Sequence, residues 1–86
     1  QNNIEKKKKN IYIYPNPCND YVTISNRDMS ADSFYIELYN SSGEKLNSLY
    51  YRNKATINLK NYQSGLYIIK IYQKTSAVYW FKIIKN

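Results

Sequence analysis

Histidine is absent from this chain, and cysteine occurs once, at Cys18. Without a histidine or a second cysteine, Ser/His/Asp and Cys/His nucleophiles cannot be assembled, and neither can a zinc site built from His and Cys. No internal disulfide can form, so cysteine usage does not point to a reducing or an oxidising compartment. Cys18 is expected to pack as a small apolar group. Acids are scarce too: Glu5, Asp20, Asp28, Asp32, Glu37 and Glu44 are the whole set. Only Asp28 and Asp32 lie close together, in a polar stretch from Asn26 to Ser33. There, Asp bonding its own backbone is a simpler reading than a calcium site or a catalytic pair. The expectation is a chain with no catalytic residue, no metal and no cofactor, hence not an enzyme.

Long apolar runs are missing as well. No stretch approaches the roughly 18 to 20 apolar residues that span a bilayer, and Gln1 to Asn10 has no apolar middle of the kind a signal peptide carries. We expect no transmembrane segment and an export signal, if any, upstream. The chain starts at Gln1 and its one methionine is Met29, which reads as a segment of a longer parent. Eighty-six residues make one small domain, which buries only roughly 60 to 65% of its unfolded surface. Its core must be thin.

The formal net charge is +7, which raises the question of nucleic acid, since clustered Lys and Arg release counterions from phosphates. Clustering is poor, however. Lys6 to Lys9 form one run, while Lys45, Lys54, Lys60, Lys70, Lys74, Lys82 and Lys85 are scattered. Lys (11), Asn (12), Ile (11) and Tyr (11) make up 45 of the 86 residues. All four have A/T-rich codons, so base composition explains much of the positive balance. No nucleic-acid partner is expected. A single-strand binder with aromatic platforms remains a competing reading, and it requires several sheet lysines to contribute to the salt dependence.

Residues 1–10 are polar and basic, with Ile4 their one large apolar side chain, and are expected to be a flexible linker from an upstream passenger. From Ile11 the composition switches to short runs of Ile, Tyr, Val and Phe separated by Asn, Ser, Asp and Gly, the signal for many short strands. The runs predict strands at Ile11–Tyr14, Tyr21–Ser25, Phe34–Asn40, Glu44–Tyr51, Ala55–Leu59, Leu66–Gln73 and Ala77–Ile84. Seven strands in this length imply an all-β sandwich or barrel. Alternation places Val22 and Ile24, Phe34, Ile36 and Leu38, Ile57 and Leu59, Tyr67, Ile69 and Ile71, and Phe81 and Ile83 inside, with Glu37, Lys70 and Lys82 outside. Most of the eleven tyrosines read as sheet covering, with the ring on apolar surface and the hydroxyl wet.

The turns narrow the choice. Leu38 to Leu46 reads as strand, turn, strand, with Gly43 supplying the positive φ a short loop needs. Pro15-Asn16-Pro17 ends the first run, because proline cannot donate to a ladder, and is expected to send the chain out of its first sheet. Ser64-Gly65-Leu66-Tyr67-Ile68-Ile69 has the small-x-Tyr-x-apolar spacing of the tyrosine corner. Ile69 then stands where antibody domains put their second disulfide cysteine. The fold expected is a seven-stranded antiparallel immunoglobulin-like β-sandwich without a disulfide, structured by Gly43, Gly65 and Tyr67.

Several segments occur in a recognisable order: Ile13-Tyr14-Pro15-Asn16-Pro17, Val22 and Ile24, Leu38-Tyr39-Asn40 with Gly43, Ser64 to Ile71, and Phe81-Lys82-Ile83-Ile84-Lys85. In this order the chain from about Ile11 to Asn86 resembles the type A C-terminal sorting domain of the type IX (Por) secretion system of Gram-negative bacteria. The resemblance implies a passenger that crosses the inner membrane on an ordinary signal peptide. An outer-membrane translocon then recognises this domain at residues 11–86, and a separate sortase-like peptidase removes it in or before residues 1–10. The passenger ends up secreted or at the cell surface, by way of the periplasm and outer membrane. Lys6 to Lys9 have no counterpart in the resemblance. Pro15, Asn16 and Pro17, with Lys82, Ile83, Ile84 and Lys85, are the candidates for recognition, the latter four because a terminal strand at a sheet edge can be read by strand addition. The alternative is an immunoglobulin-like carbohydrate-binding or adhesion module in which Trp80 and exposed tyrosines stack on sugar rings.

Overall fold

β-branched and aromatic residues stiffen the backbone toward extended conformations and pack well on a pleated surface. The short runs rich in them become the strands. The structure, a computed structural model, describes residues 6–8, 10–27, 33–73 and 78–86. Its elements are β1 (Lys6–Lys8), β2 (Ile11–Tyr14), β3 (Tyr21–Asn26), β4 (Phe34–Asn40), β5 (Lys45–Tyr51), β6 (Lys54–Asn58), β7 (Gly65–Gln73) and β8 (Val78–Lys85). There is no helix among the described residues, so none long and apolar enough to cross a membrane.

The seven expected strands are all present, with ends within a residue or so of the sequence boundaries. They form two antiparallel sheets in the orders β1-β2-β3-β6 and β5-β4-β7-β8. Pairing β3 with β6 and β4 with β7 is the non-local pattern of an immunoglobulin-like sandwich. β1 is an addition. Lys6–Lys8, inside the expected linker, pairs with β2 from Lys6 opposite Ile13 to Lys8 opposite Ile11. A ladder is made by backbone groups whatever the side chains, and lysine-rich strands are a usual way to finish a sheet edge. The turn into β2 passes through Asn10 at φ 66°, a conformation asparagine tolerates.

Both sheets bury the face that alternation assigns. Ile13, Val22, Ile24, Ile36, Leu59, Ile69, Ile71 and Ile83 are fully inaccessible, and Ile11, Leu38, Ile57, Phe34 and Phe81 nearly so. They form one core cluster. Cys18 joins it as the small apolar group expected, and burial pushes its thiol up from the ordinary value.

Two turns hold this frame. In the β4–β5 hairpin, Asn40 Oδ1 accepts from Ser42 N–H, Ser42 Oγ and Glu44 N–H at 3.1, 2.9 and 2.9 Å. Gly43 then closes the loop at φ 89°. At the start of β7, Gly65 sits at φ 146° with open space where a Cβ would go, so the backbone angle selects glycine there. Two residues on, Tyr67 donates its hydroxyl to the Gln63 carbonyl at 2.5 Å, which is the tyrosine corner.

One outward residue departs from expectation. Glu37 lies on the outer face of β4, yet it is only 8% exposed. Tyr39 donates to its Oε1 at 2.8 Å and Lys45 lies 3.4 Å from its Oε2. Burial pushes the Glu37 carboxyl up, but hydrogen bonds from Tyr39, Tyr72 and Lys45, together with the Lys45 charge, outweigh it and hold the carboxyl below its ordinary 4.5. Long side chains on neighbouring strands cover what a single strand would expose.

Candidate functional site

Proline donates no backbone hydrogen bond, so Pro15 and Pro17 cannot extend β2 or start a regular ladder. Between them Asn16 has two donors and an acceptor on its side chain, and these do the pairing instead. Its Nδ2 donates to the Lys82 carbonyl at 3.0 Å and its Oδ1 accepts from Ile84 N–H at 2.9 Å. One side-chain amide thereby occupies the place of a neighbouring strand's peptide group along the outer edge of β8. Cys18 continues the pattern: its N–H donates to the Ile84 carbonyl and its carbonyl accepts from Asn86 N–H, both at 2.8 Å. A parallel bridge between Cys18 and Lys85 results.

The expected exit from the first sheet therefore occurs, but as an excursion. Residues 15–20 reach across to the second sheet's edge, and the chain returns to pair β3 with β2. The expectation of an open terminal edge needs correction. β8 does end its sheet, but its edge from Lys82 to Asn86 is already paired by Asn16 and Cys18, so strand addition there would have to displace them.

Lys85 fastens the same end from inside. Its side chain points into the sandwich, and the residue is 8% exposed. Its Nζ donates to the carbonyls of Leu59, Tyr62 and Lys60 at 2.7, 2.5 and 3.4 Å. An ammonium has three donors, and the β6–β7 connection presents three acceptors to it. Leu59 N–H in turn donates to the Asp20 carbonyl at 2.7 Å. The last turn of sequence thus holds together residues 16–20, 59–62 and 82–86.

The candidate residues divide by exposure. Pro15, Pro17, Lys82 and Ile84 are exposed, whereas Asn16, Ile83 and Lys85 are buried. The first four can meet a partner, and the latter three hold the first four in place. Gly43, Gly65 and Tyr67 occupy the turn roles described above. Asp28 and Asp32 lie outside the described residues. Among the described residues no group of three His, Cys, Asp or Glu side chains could hold a metal.

Sequence reasoning missed the role of Asn16 as a surrogate strand and of Lys85 as an internal cap. Its one available signal was an asparagine between two prolines, a polar residue with amide pairing capacity where the backbone has lost its own. For Lys85, alternation was the signal: Phe81, Ile83 and Lys85 share one face, and a lysine on the buried face needs acceptors.

Pro15, Pro17, Lys82 and Ile84 thus lie exposed along a C-terminal strand that Asn16 and Cys18 clasp. A search among curated proteins found no match. The family model described as the secretion system C-terminal sorting domain matches residues 12–86, nearly everything from β2 to the last residue. The chain belongs to that family, the sorting signals that direct an attached protein through the type IX secretion system to the cell surface or beyond.

Proposed function

We propose that the signal is read as a folded composite. The Pro15-Asn16-Pro17 loop and the outward side chains of β8 form one surface for the outer-membrane type IX translocon. A separate sortase-like peptidase then cuts the passenger free, in or before residues 1–10, and the passenger is released or retained at the surface. The domain itself supplies binding and no chemistry.

The observation that supports this reading is the Asn16 clasp. Two hydrogen bonds across 66 and 68 residues of sequence weld the segment after β2 to the C-terminal strand. A tail read as a linear peptide would gain nothing from such a weld, whereas a shaped surface needs both parts held in fixed relation.

The test is a fusion of the whole chain to an inert exported protein, with cell-surface labelling as the readout. The unaltered fusion is expected at the surface. Asn16→Ala leaves Pro15, Pro17 and Lys82 to Lys85 in place but strips partners from the Lys82 carbonyl and Ile84 N–H, a loss of about 1–3 kcal/mol. Surface delivery should fall with it. Undiminished delivery by Asn16→Ala, in a domain whose Ile84 amide exchanges freely with solvent, is the result that sinks the composite reading.

A further inference from the structure

The outer face of the β5-β4-β7-β8 sheet is more apolar than a water-facing surface requires. Six large hydrophobic side chains are exposed among the described residues, and five of them, Tyr50, Leu66, Val78, Trp80 and Ile84, lie on this face. Register sets them in rows with half-buried neighbours. Tyr50, Tyr35, Tyr72 and Val78 run across the four strands, and Glu37, Lys70 and Trp80 lie in the next row. Tyr35 packs on Tyr50 at 4.9 Å and on Tyr72 at 5.7 Å between ring centroids. Lys70 Nζ lies 4.8 Å from the centre of the Tyr72 ring and 4.5 Å from that of Trp80.

We infer that this face is a docking surface for a protein partner that presents an apolar centre with acidic side chains around it. This rests on the sorting reading above and extends it to a specific side of the domain.

Three features choose that occupant. Tyr50, Tyr35 and Tyr72 pack in one row with rings tilted 42° and 41° to their neighbours, and Lys70 bridges Tyr72 to Trp80, all on the open face of a sheet, while sugar and small-molecule sites are concave, with polar groups set among the apolar ones. Tyr39, Ile68 and Lys82 make a third row, and Leu66 and Ile84 a fourth on β7 and β8 alone, so the face spans at most roughly 14 by 20 Å at ordinary sheet spacings, the size of a weak, transient contact. Such a contact suits a signal that must be handed on.

Charge decides the rest. The single acid on this face among the described residues, Glu37, is engaged by Lys45 and Tyr39. Lys70 rests on rings, and Lys82 stands exposed beside Ile68. The face is thus positive, in a chain of net charge +7. A second copy would bring lysines against lysines, whereas an acidic rim would meet them favourably. The face also shares Lys82 and Ile84 with the clasped strand, so it is continuous with the candidate recognition residues.

The test uses the full parent protein in its own export-competent cells. A photo-crosslinking phenylalanine analogue is placed at Tyr50, and separately at Tyr21, the exposed aromatic of the other sheet. Tyr50 is expected to yield an adduct with an envelope protein at an acidic surface segment, and Tyr21 none. Lys70→Glu with Lys82→Glu should lower the adduct and the rate of surface delivery by roughly tenfold. Thermal melting of the double variant reports that the fold is kept. Equal adducts from both positions, no adduct from Tyr50, an adduct with polysaccharide, or one at twice the chain's own mass overturns the inference. Deleting the whole domain separates the two readings. If the deletion abolishes delivery but Lys70→Glu with Lys82→Glu delivers normally, the face inference alone fails. Normal delivery after the deletion refutes the sorting reading itself.

Discussion

The two sheets bury equally apolar inner faces but turn very different outer faces to water. On β2, β3 and β6 the outward residues are Tyr12 and Tyr14, Tyr21, Thr23 and Ser25, and Lys54, Thr56 and Asn58. Hydroxyls, an amide and an amine lie opposite one another there, and the Arg27 guanidinium caps the Tyr12 ring at 3.9 Å. On β4, β5, β7 and β8 the corresponding positions carry Tyr35, Tyr50, Tyr72 and Trp80 with Leu66, Ile68, Val78 and Ile84, and Ser48, Glu37, Lys45, Lys70 and Lys82 are set among them. Folding requires an apolar face toward the core and is nearly indifferent to the other. An apolar outer face on one sheet and a polar one on its partner is therefore a property added to the fold, and contact with another molecule is the use for which such a patch is suited.

The largest expected effect breaks the comparison altogether. Removing Phe81 to Asn86 takes away two core side chains, the Lys85 cap and the clasp together. The domain should lose its cooperative unfolding transition and the passenger should stay in the periplasm, as seen by calorimetry and cell fractionation. Normal surface delivery of the truncated protein would leave the terminal strand without a part in sorting.

Single substitutions then sharpen the contrast between faces. Ile69→Ala, on the inner face, should cost about 2–5 kcal/mol by chemical denaturation. Thr23→Ala, on the polar outer face, should stay within about 0.5 kcal/mol. Equal costs would mean that the inner and outer faces are not as the burial pattern assigns them. Lys85→Met lies between these. It keeps the bulk of the stem but leaves the Leu59, Lys60 and Tyr62 carbonyls without their donor, a cost of about 1–3 kcal/mol.

The smallest effect concerns the one acid on the aromatic face. Glu37 has its folded value depressed, so its contribution is present above the ordinary 4.5 and fades as pH falls through the lower folded value. Tyr39 moves the other way. Its hydrogen bond to Glu37 raises it from 10.0 to about 12, so its contribution is present below pH 10.0 and fades as pH rises through about 12. Melting temperatures of the unaltered domain and Glu37→Gln should therefore differ at neutral pH and converge at both extremes. A difference independent of pH would show that the Glu37, Tyr39 and Lys45 group contributes nothing through its charge.

Most of the frame could be read from residue order. Period-two alternation found the strands and their buried sides, because successive side chains of a strand must point opposite ways. Gly43, Gly65 and the Tyr67 spacing located turns whose backbone angles admit few residues. The linker reading of residues 1–10 did not anticipate β1, since a strand of three lysines has no apolar pattern to reveal it. Glu37 was placed on the correct side but not in the correct environment. Its cover comes from Tyr72 and Lys45, on strands that adjoin β4 only after the sheet has formed.

Local chemistry, then, settled which segments are strands, which face of each is apolar and where the chain turns, because those properties depend on residues within a few positions of each other. The assembled fold settled what the ends of the chain do. Asn16 meets Ile84 across 68 residues, and Lys85 meets Leu59 across 26. Nothing in either neighbourhood specifies a partner that far away. Whether β8 has an open or a closed edge, and whether scattered tyrosines become one continuous surface, follows from strand order, which exists only once the two sheets have paired and packed.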